Sequence, residues 1–239
     1  MFTVYSLRFT DDYFYRQLSG RARKLSVNRK HSNMRIITGR YKGRHFDIPR
    51  SFKARPTTDF AKENIFNVLT QYIDFEGAEA LDLFSGTGSI TLELLSRGCS
   101  RVVSVELDRD HHRFIQQCVG KLLRSEECGV RSENTPTTDI SPSSFHFPLS
   151  SIIRGDVFRY IKSCKQKYDF IFADPPYALK ELPTIPSLIF EKGMLKDDGI
   201  FVFEHGKDHD FSNDPHFVEH RSYGSVNFSI FRTKEPSGE

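Results

Sequence analysis

Between Glu79 and His205 the sequence alternates between two periods. Short apolar runs at 79–84, 101–106, 151–154, 168–173 and 199–205 are separated by stretches of helical spacing at 89–97, 108–123, 157–165 and 185–191. A short apolar run bounded by turn residues reads as a strand buried on both faces, and a 3.6-residue period reads as a helix packed on it. Such alternation restricts the chain to a parallel, doubly wound sheet. Two further runs, 217–222 and 226–231 around Tyr223-Gly224, read as an antiparallel pair closing one edge. The expected class is therefore α/β and Rossmann-like: a mostly parallel seven-stranded sheet with a C-terminal antiparallel strand pair. A small N-terminal β-hairpin and helix precede it.

Three segments are expected. Residues 1–33 are basic and aromatic without periodicity, so weak order is expected there, and Met34 is a second candidate start. Residues 34–76 form the hairpin and helix, and 77–234 the main domain. Between 124 and 150 the alternation lapses into Ser, Thr, Pro, Asn and Glu, which reads as a mobile polar insertion. Residues 1–56 carry fourteen Lys/Arg against three acids, a charge of +11, and the remainder twenty against twenty-eight, a charge of −8. A basic block on an acidic body points to a polyanion partner. No apolar run approaches the ~18 residues of a membrane span. No signal-peptide core opens the chain. Cys99, Cys118, Cys128 and Cys164 lack Cys-x-x-Cys spacing and read as reduced thiols of a cytoplasmic protein.

The hairpin is read from Arg35-Ile36-Ile37-Thr38-Gly39 and Tyr41-Lys42-Gly43-Arg44, with Phe46 and Ile48 on its return arm. Arg35, Arg40, Lys42 and Arg44 are its candidate phosphate contacts. Arg55-Pro56-Thr57-Thr58-Asp59 then punctuates the chain, and Thr57, Thr58 or Asp59 can cap the next helix. That helix carries Ala61, Ile65, Val68, Leu69, Tyr72 and Ile73 as an apolar stripe. Lys62 and Glu63 in its first turns read as a solvated face.

Chemistry gathers at strand ends. The run Asp82-Leu83-Phe84-Ser85-Gly86-Thr87-Gly88 takes a strand through a Gly-x-Gly turn into a helix, the geometry that lets a ligand approach the backbone. Thr91 stands where a dinucleotide fingerprint requires its third glycine. A carboxylate at Asp82 is poor for phosphate and suits a cationic group such as the amine of S-adenosylmethionine. Glu106 closes the second strand, where a carboxylate accepts from ribose hydroxyls. Asp156 follows the third strand and can accept from an adenine amine. Asp174-Pro175-Pro176-Tyr177 follows the fourth. Its prolines remove two donors and stiffen the turn, leaving a rim of acceptors beside an aromatic ring, suited to the amino edge of a base. His205, His209 and His216 lack metal-ligand spacing, so no metal site is expected.

This set resembles the class I S-adenosylmethionine-dependent methyltransferases that modify exocyclic amines of bases. The finer match is to the RsmD family of small-subunit ribosomal RNA (guanine-N2)-methyltransferases, over Met34 to about Arg232. It rests on the hairpin segments, Arg55-Pro56-Thr57-Thr58-Asp59 with Lys62-Glu63, Phe66-Asn67-Val68-Leu69, Asp82–Gly88, Ser96-Arg97-Gly98, the Asp174–Tyr177 turn and Tyr223-Gly224. Residues 1–33 and the length of the 124–150 insertion depart from it.

The resemblance implies S-adenosylmethionine as cofactor, held by Asp82, Phe84, Ser85, Gly86, Gly88, Glu106 and Asp156. Arg55 and Thr57 are placed near its methionine end or near the target base. It implies methyl transfer to guanine N2 of 16S ribosomal RNA, free or in a small-subunit assembly particle, by a monomer. Asp174 and a neighbouring proline carbonyl would accept from the N2 amine, and Tyr177 would stack on the base. The rival readings are a DNA adenine or cytosine amino-methyltransferase, a catalytically silent RNA-binding module and a nicotinamide oxidoreductase. The basic hairpin, the intact Asp174–Tyr177 turn and Thr91 argue against them in that order.

Overall fold

The computed structural model describes residues 33–52, 58–129 and 149–233. Strands β1 (Asn33–Arg35) and β2 (His45–Asp47) pair antiparallel as a hairpin. Helix α1 covers Asp59–Leu69, with Thr58 Oγ1 accepting the Ala61 N–H at 3.2 Å, so Thr58 is the cap among the three candidates. The helix stops short of Tyr72 and Ile73, which follow it in a turn and still pack on the core.

The main sheet is built from β3 (Glu79–Leu83), β4 (Arg101–Glu106), β5 (Leu149–Arg154), β6 (Tyr168–Ala173), β7 (Leu195–His205), β8 (Phe217–Tyr223) and β9 (Val226–Arg232). Its order is β5-β4-β3-β6-β7-β9-β8, with β9 antiparallel to both neighbours. Helices α2 (Ser89–Ser96), α3 (Arg109–Gly129), α4 (Val157–Ser163) and α5 (Ile185–Glu191) form the crossovers. Thus α3 and β5 take up the two ends of the expected 124–150 insertion, and residues 130–148 lie outside the described residues. Residues 1–32 lie outside them too.

Alternate strand residues divide between two apolar layers, as the period of two requires. Ala80, Phe170, Phe172, Ile200 and Val202 pack with α1, α2, α3 and the hairpin. Leu81, Leu83, Ile171, Phe201 and Phe203 pack with α4 and α5. On α3, Ile115, Cys118, Val119 and Leu122 are buried at spacings of three and four, one stripe of a helix. The hairpin residues Met34, Ile36, Tyr41, Phe46 and Ile48 belong to the first layer, so the hairpin shares its core.

Lys62 corrects the solvated-face reading: its side chain is fully buried, while Glu63 is exposed. Its Nζ donates to the Arg35 carbonyl at 2.6 Å and to Ser89 Oγ at 3.0 Å, and lies 3.7 Å from Glu93. The physical reason lies in α2, whose eight residues are all buried. A glutamate in such a helix must find a counter-charge. Glu93 also accepts the Ile37 and Thr38 N–H groups at 2.8 and 3.0 Å and pairs with Arg97 at 3.1 Å. The hairpin is thereby fastened to the helix that follows the glycine loop. Gly39 completes the joint: at φ 84°, a Cβ there would stand 1.9 Å from the Ser96 carbonyl oxygen.

Candidate active site

Sheet order reverses at β3, between β4 and β6, and open α/β sheets bind ligands outside the strand carboxyl ends at such a switch point. A cavity of about 960 Å³ opens there. Its walls come from the turns after β3, β4, β5 and β6 and from the end of β7. Asp82, Phe84, Ser85, Gly86, Glu106, Asp156 and the Asp174–Tyr177 turn all line it. Residues distant in sequence, each read at a strand end, are brought around one space. Arg55 and Thr57 lie outside the described residues.

The glycine turn is shaped by backbone constraint. Phe84 enters the left-handed region at φ 59°, at a cost on the order of 1–3 kcal/mol. Gly88 begins α2 at φ 77°, and a Cβ there would meet Ile115 of α3 at 2.9 Å. The turn is thus pinned against α3 and exposes backbone to the cavity. Asp82 is buried and its Oδ2 accepts from the Thr91 N–H at 3.0 Å and from the Thr91 hydroxyl. That hydroxyl also contacts Ser104 Oγ at 2.7 Å. Thr91, read as a missing glycine, is the anchor of Asp82. Burial pushes the Asp82 carboxyl up to about 7, against the two Thr91 bonds and with smaller contributions from Asp174 and Glu106.

Glu106 accepts the Gly86 N–H on Oε2 and the Asp108 N–H on Oε1, both at 2.7 Å. It therefore orients the glycine turn, and each oxygen keeps a second lone pair for a ligand. Asp156 caps α4 through Oδ1, 2.9 Å from the Arg159 nitrogen. Phe158, one residue into α4, sets its ring 6.4 Å from that of Phe84 at an interplanar angle of 73°. Phe158 and exposed Leu107 add an apolar wall that the sequence reading missed.

The Asp174–Tyr177 turn follows β6, the strand paired with β3. The Leu179 N–H donates to the Pro176 carbonyl at 2.8 Å and closes the turn. Asp174 is partly exposed to the cavity as a residue, yet its carboxyl is enclosed. Burial first, and the nearby Glu204 carboxylate second, push it well above the usual carboxylate range. The Tyr177 hydroxyl donates to Glu204 Oε1 at 3.1 Å, and its ring stands about half exposed at the mouth. Glu204, at the end of β7 and 5% exposed, is the lining carboxylate that the sequence reading passed over.

The hairpin residues divide. Arg40, Lys42 and Arg44 are exposed on its loop. Arg35 pairs with Asp59 at 3.0 Å instead. Arg44 also lines a groove of about 330 Å³ with Lys121 of α3. Among the described residues no group of three or more His, Cys, Asp or Glu is arranged to hold a metal ion.

Strand order, with its antiparallel C-terminal pair, defines a class I methyltransferase fold. Within that class the chain belongs to the family described as Conserved hypothetical protein 95, whose model matches residues 34–232. It is 30% identical over 207 residues to YlbH of Bacillus subtilis, covering 84% of this chain and all of that protein. It is 28% identical over 188 residues to the Ribosomal RNA small subunit methyltransferase D of Haemophilus influenzae, covering 78% of this chain and 86% of that one. A solved hypothetical protein of Thermus thermophilus shares the fold, with a TM-score of 0.65 at 22% identity over 84% of this chain and 99% of its own.

Proposed function

We propose that this chain transfers a methyl group from S-adenosylmethionine to the exocyclic N2 amine of a guanine in small-subunit ribosomal RNA. The observation that carries the reading is the convergence of Asp82 on β3 and Asp174 after the adjacent β6 on one cavity, one suited to a cationic amine and the other to an N–H donor. Membership of a family with curated relatives named as small-subunit rRNA methyltransferases supports the RNA substrate.

The cavity suits the cofactor. Asp82 would hold its ammonium, Glu106 its ribose and Asp156 its adenine amine, with Phe84 and Phe158 along the base and the Ser85–Gly88 backbone against the methionine end. When bound, S-adenosylmethionine supplies an electrophilic methyl group on a positively charged sulfur. Asp174 and the Pro175 carbonyl would accept from the guanine N2 amine. That turns the nitrogen lone pair toward the methyl and opposes its delocalisation into the ring. As the N–C bond forms, N2 loses one proton. Asp174 in its ionised form is placed to receive it. Alignment of nitrogen and methyl supplies much of the acceleration. Tyr177 would stack on the guanine, worth about 1–3 kcal/mol by comparison with other base–aromatic stacks. The base must be unpaired or extruded to enter.

Asp82 gives this reading a pH signature. A carboxyl held at about 7 in the protein alone must lose its proton to meet an ammonium. Cofactor affinity is expected to rise between about pH 6 and 7.5, and Asp82→Asn to remove that slope. The same shift has a stability cost. A carboxyl raised in the folded state stabilises the fold below its unfolded value, and the contribution is lost as pH rises through about 7. Asp82→Asn should therefore stabilise the cofactor-free protein at about pH 8, by at most about 4 kcal/mol, while weakening cofactor binding. Calorimetry on both proteins checks the pair of effects; a flat pH profile in the unsubstituted protein contradicts the assignment.

Arg40, Lys42 and Arg44 are assigned to RNA phosphates, and Arg35 to the hairpin base through Asp59. Replacing the three exposed residues together should weaken RNA binding and lower the salt slope by roughly one per lost contact. An unchanged slope removes the hairpin from the footprint. We further assign the protein to the cytoplasm as a monomer; no helix among the described residues is long and apolar enough to cross a membrane. Incubation with methyl-labelled S-adenosylmethionine and either protein-free 16S rRNA or assembled small subunits tests the substrate. Label in either RNA is expected, and label in neither sinks the proposal.

A further inference from the structure

We infer that Glu204 is the second base-reading acceptor of the site. It takes the N1–H of the target guanine beside the N2 amine held by Asp174, so the two carboxylates together select guanine over adenine. The inference deepens the proposed function and rests on it. Strands β6 and β7 run parallel with Phe172 opposite Val202 and Ala173 opposite Phe203. One further step in that register sets Asp174 beside Glu204, at the ~4.8 Å spacing of adjacent strands. Both fall on the sheet face of Asp82, Phe172 and Val202, because side chains alternate along each strand. Both line the same cavity. Glu204 is on a central strand, 5% exposed, and the Tyr177 hydroxyl donates to its Oε1 at 3.1 Å. That bond fixes the carboxylate and the aromatic ring relative to each other.

The chemistry of the base completes the match. Guanine presents N1–H and the N2 amine side by side, a row of donors. Two adjacent carboxylates on a rigid strand end are the complementary row of acceptors. Adenine presents N1 as an acceptor next to its amine, which would face Glu204 with two acceptors opposed. A site built to receive a donor rejects the analogue that lacks it, because its own polar group is left unpaired. The Tyr177 contact supports this use: it holds the Glu204 carboxylate beside the ring assigned to stack on the base.

2-Aminopurine tests the assignment. It keeps the amine at C2 but carries an acceptor at N1. The substrate is 16S rRNA ligated around an oligonucleotide holding guanine or 2-aminopurine at the position that the unsubstituted protein labels. The unsubstituted protein is expected to prefer guanine by about 10- to 100-fold. Glu204→Gln offers an amide N–H to N1 of 2-aminopurine. It should lose about 10- to 100-fold on guanine while holding or gaining on 2-aminopurine, so the preference collapses or inverts. Each preference is a ratio within one protein, so a change in cofactor affinity or overall stability cancels. Equal slowing on both bases, with the guanine preference intact, overturns the inference and leaves the proposed function standing. If E204Q does not fold, the unsubstituted protein decides alone: equal transfer to both bases overturns the inference. Absence of N2-methylguanine from the unsubstituted protein is instead the failure of the proposed function.

Discussion

Asp174→Ala is expected to lower methyl transfer on the order of 10³-fold while cofactor affinity stays within a few-fold. The separation follows from position. Asp174 follows β6, which flanks β3 on the side away from β4 and β5, the strands whose Glu106 and Asp156 are assigned to the cofactor. Alanine removes the acceptor that orients the N2 lone pair and the base nearest its proton. Asp174→Asn distinguishes the two losses, because an amide oxygen still accepts a hydrogen bond but takes no proton at neutral pH. The part of the alanine loss that asparagine restores is assigned to orientation. Equal losses assign the whole to the proton. Single-turnover transfer with cofactor titration measures both quantities, and near-normal transfer in Asp174→Ala removes the residue from the chemistry.

Glu93→Ala is expected to destabilise the fold by about 3–5 kcal/mol, the largest structural effect among these substitutions. It would leave Lys62 buried without its carboxylate, and would take from Arg97 its buried partner. It would also unpair the Ile37 and Thr38 N–H groups. Among the described residues these bonds join the hairpin, α1 and α2 alone, so the loss has a location. Amide exchange at Ile37, Thr38 and Tyr41 should accelerate before that of β3 and β6. Chemical denaturation with residue-level exchange checks this; uniform acceleration across the sheet contradicts a local joint. Lys62→Met tests the same cluster from its other side. It should cost less, because Glu93 keeps Arg97 and two backbone donors, and the methionine chain fills the same channel.

The elements were legible because their signals are local. A period of two or of 3.6 is written within about ten residues, and β4, β6 and α5 begin and end where the periods predict. The cavity-lining acids were legible for a related reason: Asp82, Glu106, Asp156 and Asp174 each belong to or follow an apolar run, and parallel topology carries all such ends to one edge. What stayed hidden depends on pairs far apart in sequence. Lys62 and Glu93 are separated by thirty-one residues, and nothing near either announces the other. A signal did exist on α2, where a lone glutamate in an otherwise uncharged helix required a counter-charge. Thr91 was judged by the glycine it replaced, whereas its hydroxyl and N–H serve Asp82. Glu204 ends Phe201-Val202-Phe203 as plainly as Asp174 ends β6, so the strand-end rule applied evenly would have found it. The extension of α3 to Gly129 was missed because Arg124 to Gly129 carries no apolar period from which a helix can be read.

Nucleoside identity is the most direct test of the proposed reaction. 16S rRNA, protein-free and in assembled subunits, is incubated with the protein and methyl-labelled S-adenosylmethionine, then digested to nucleosides and separated. Label in N2-methylguanosine, absent with Asp174→Ala, is the predicted result. Label in N6-methyladenosine, or label that persists in the Asp174→Ala reaction, contradicts it.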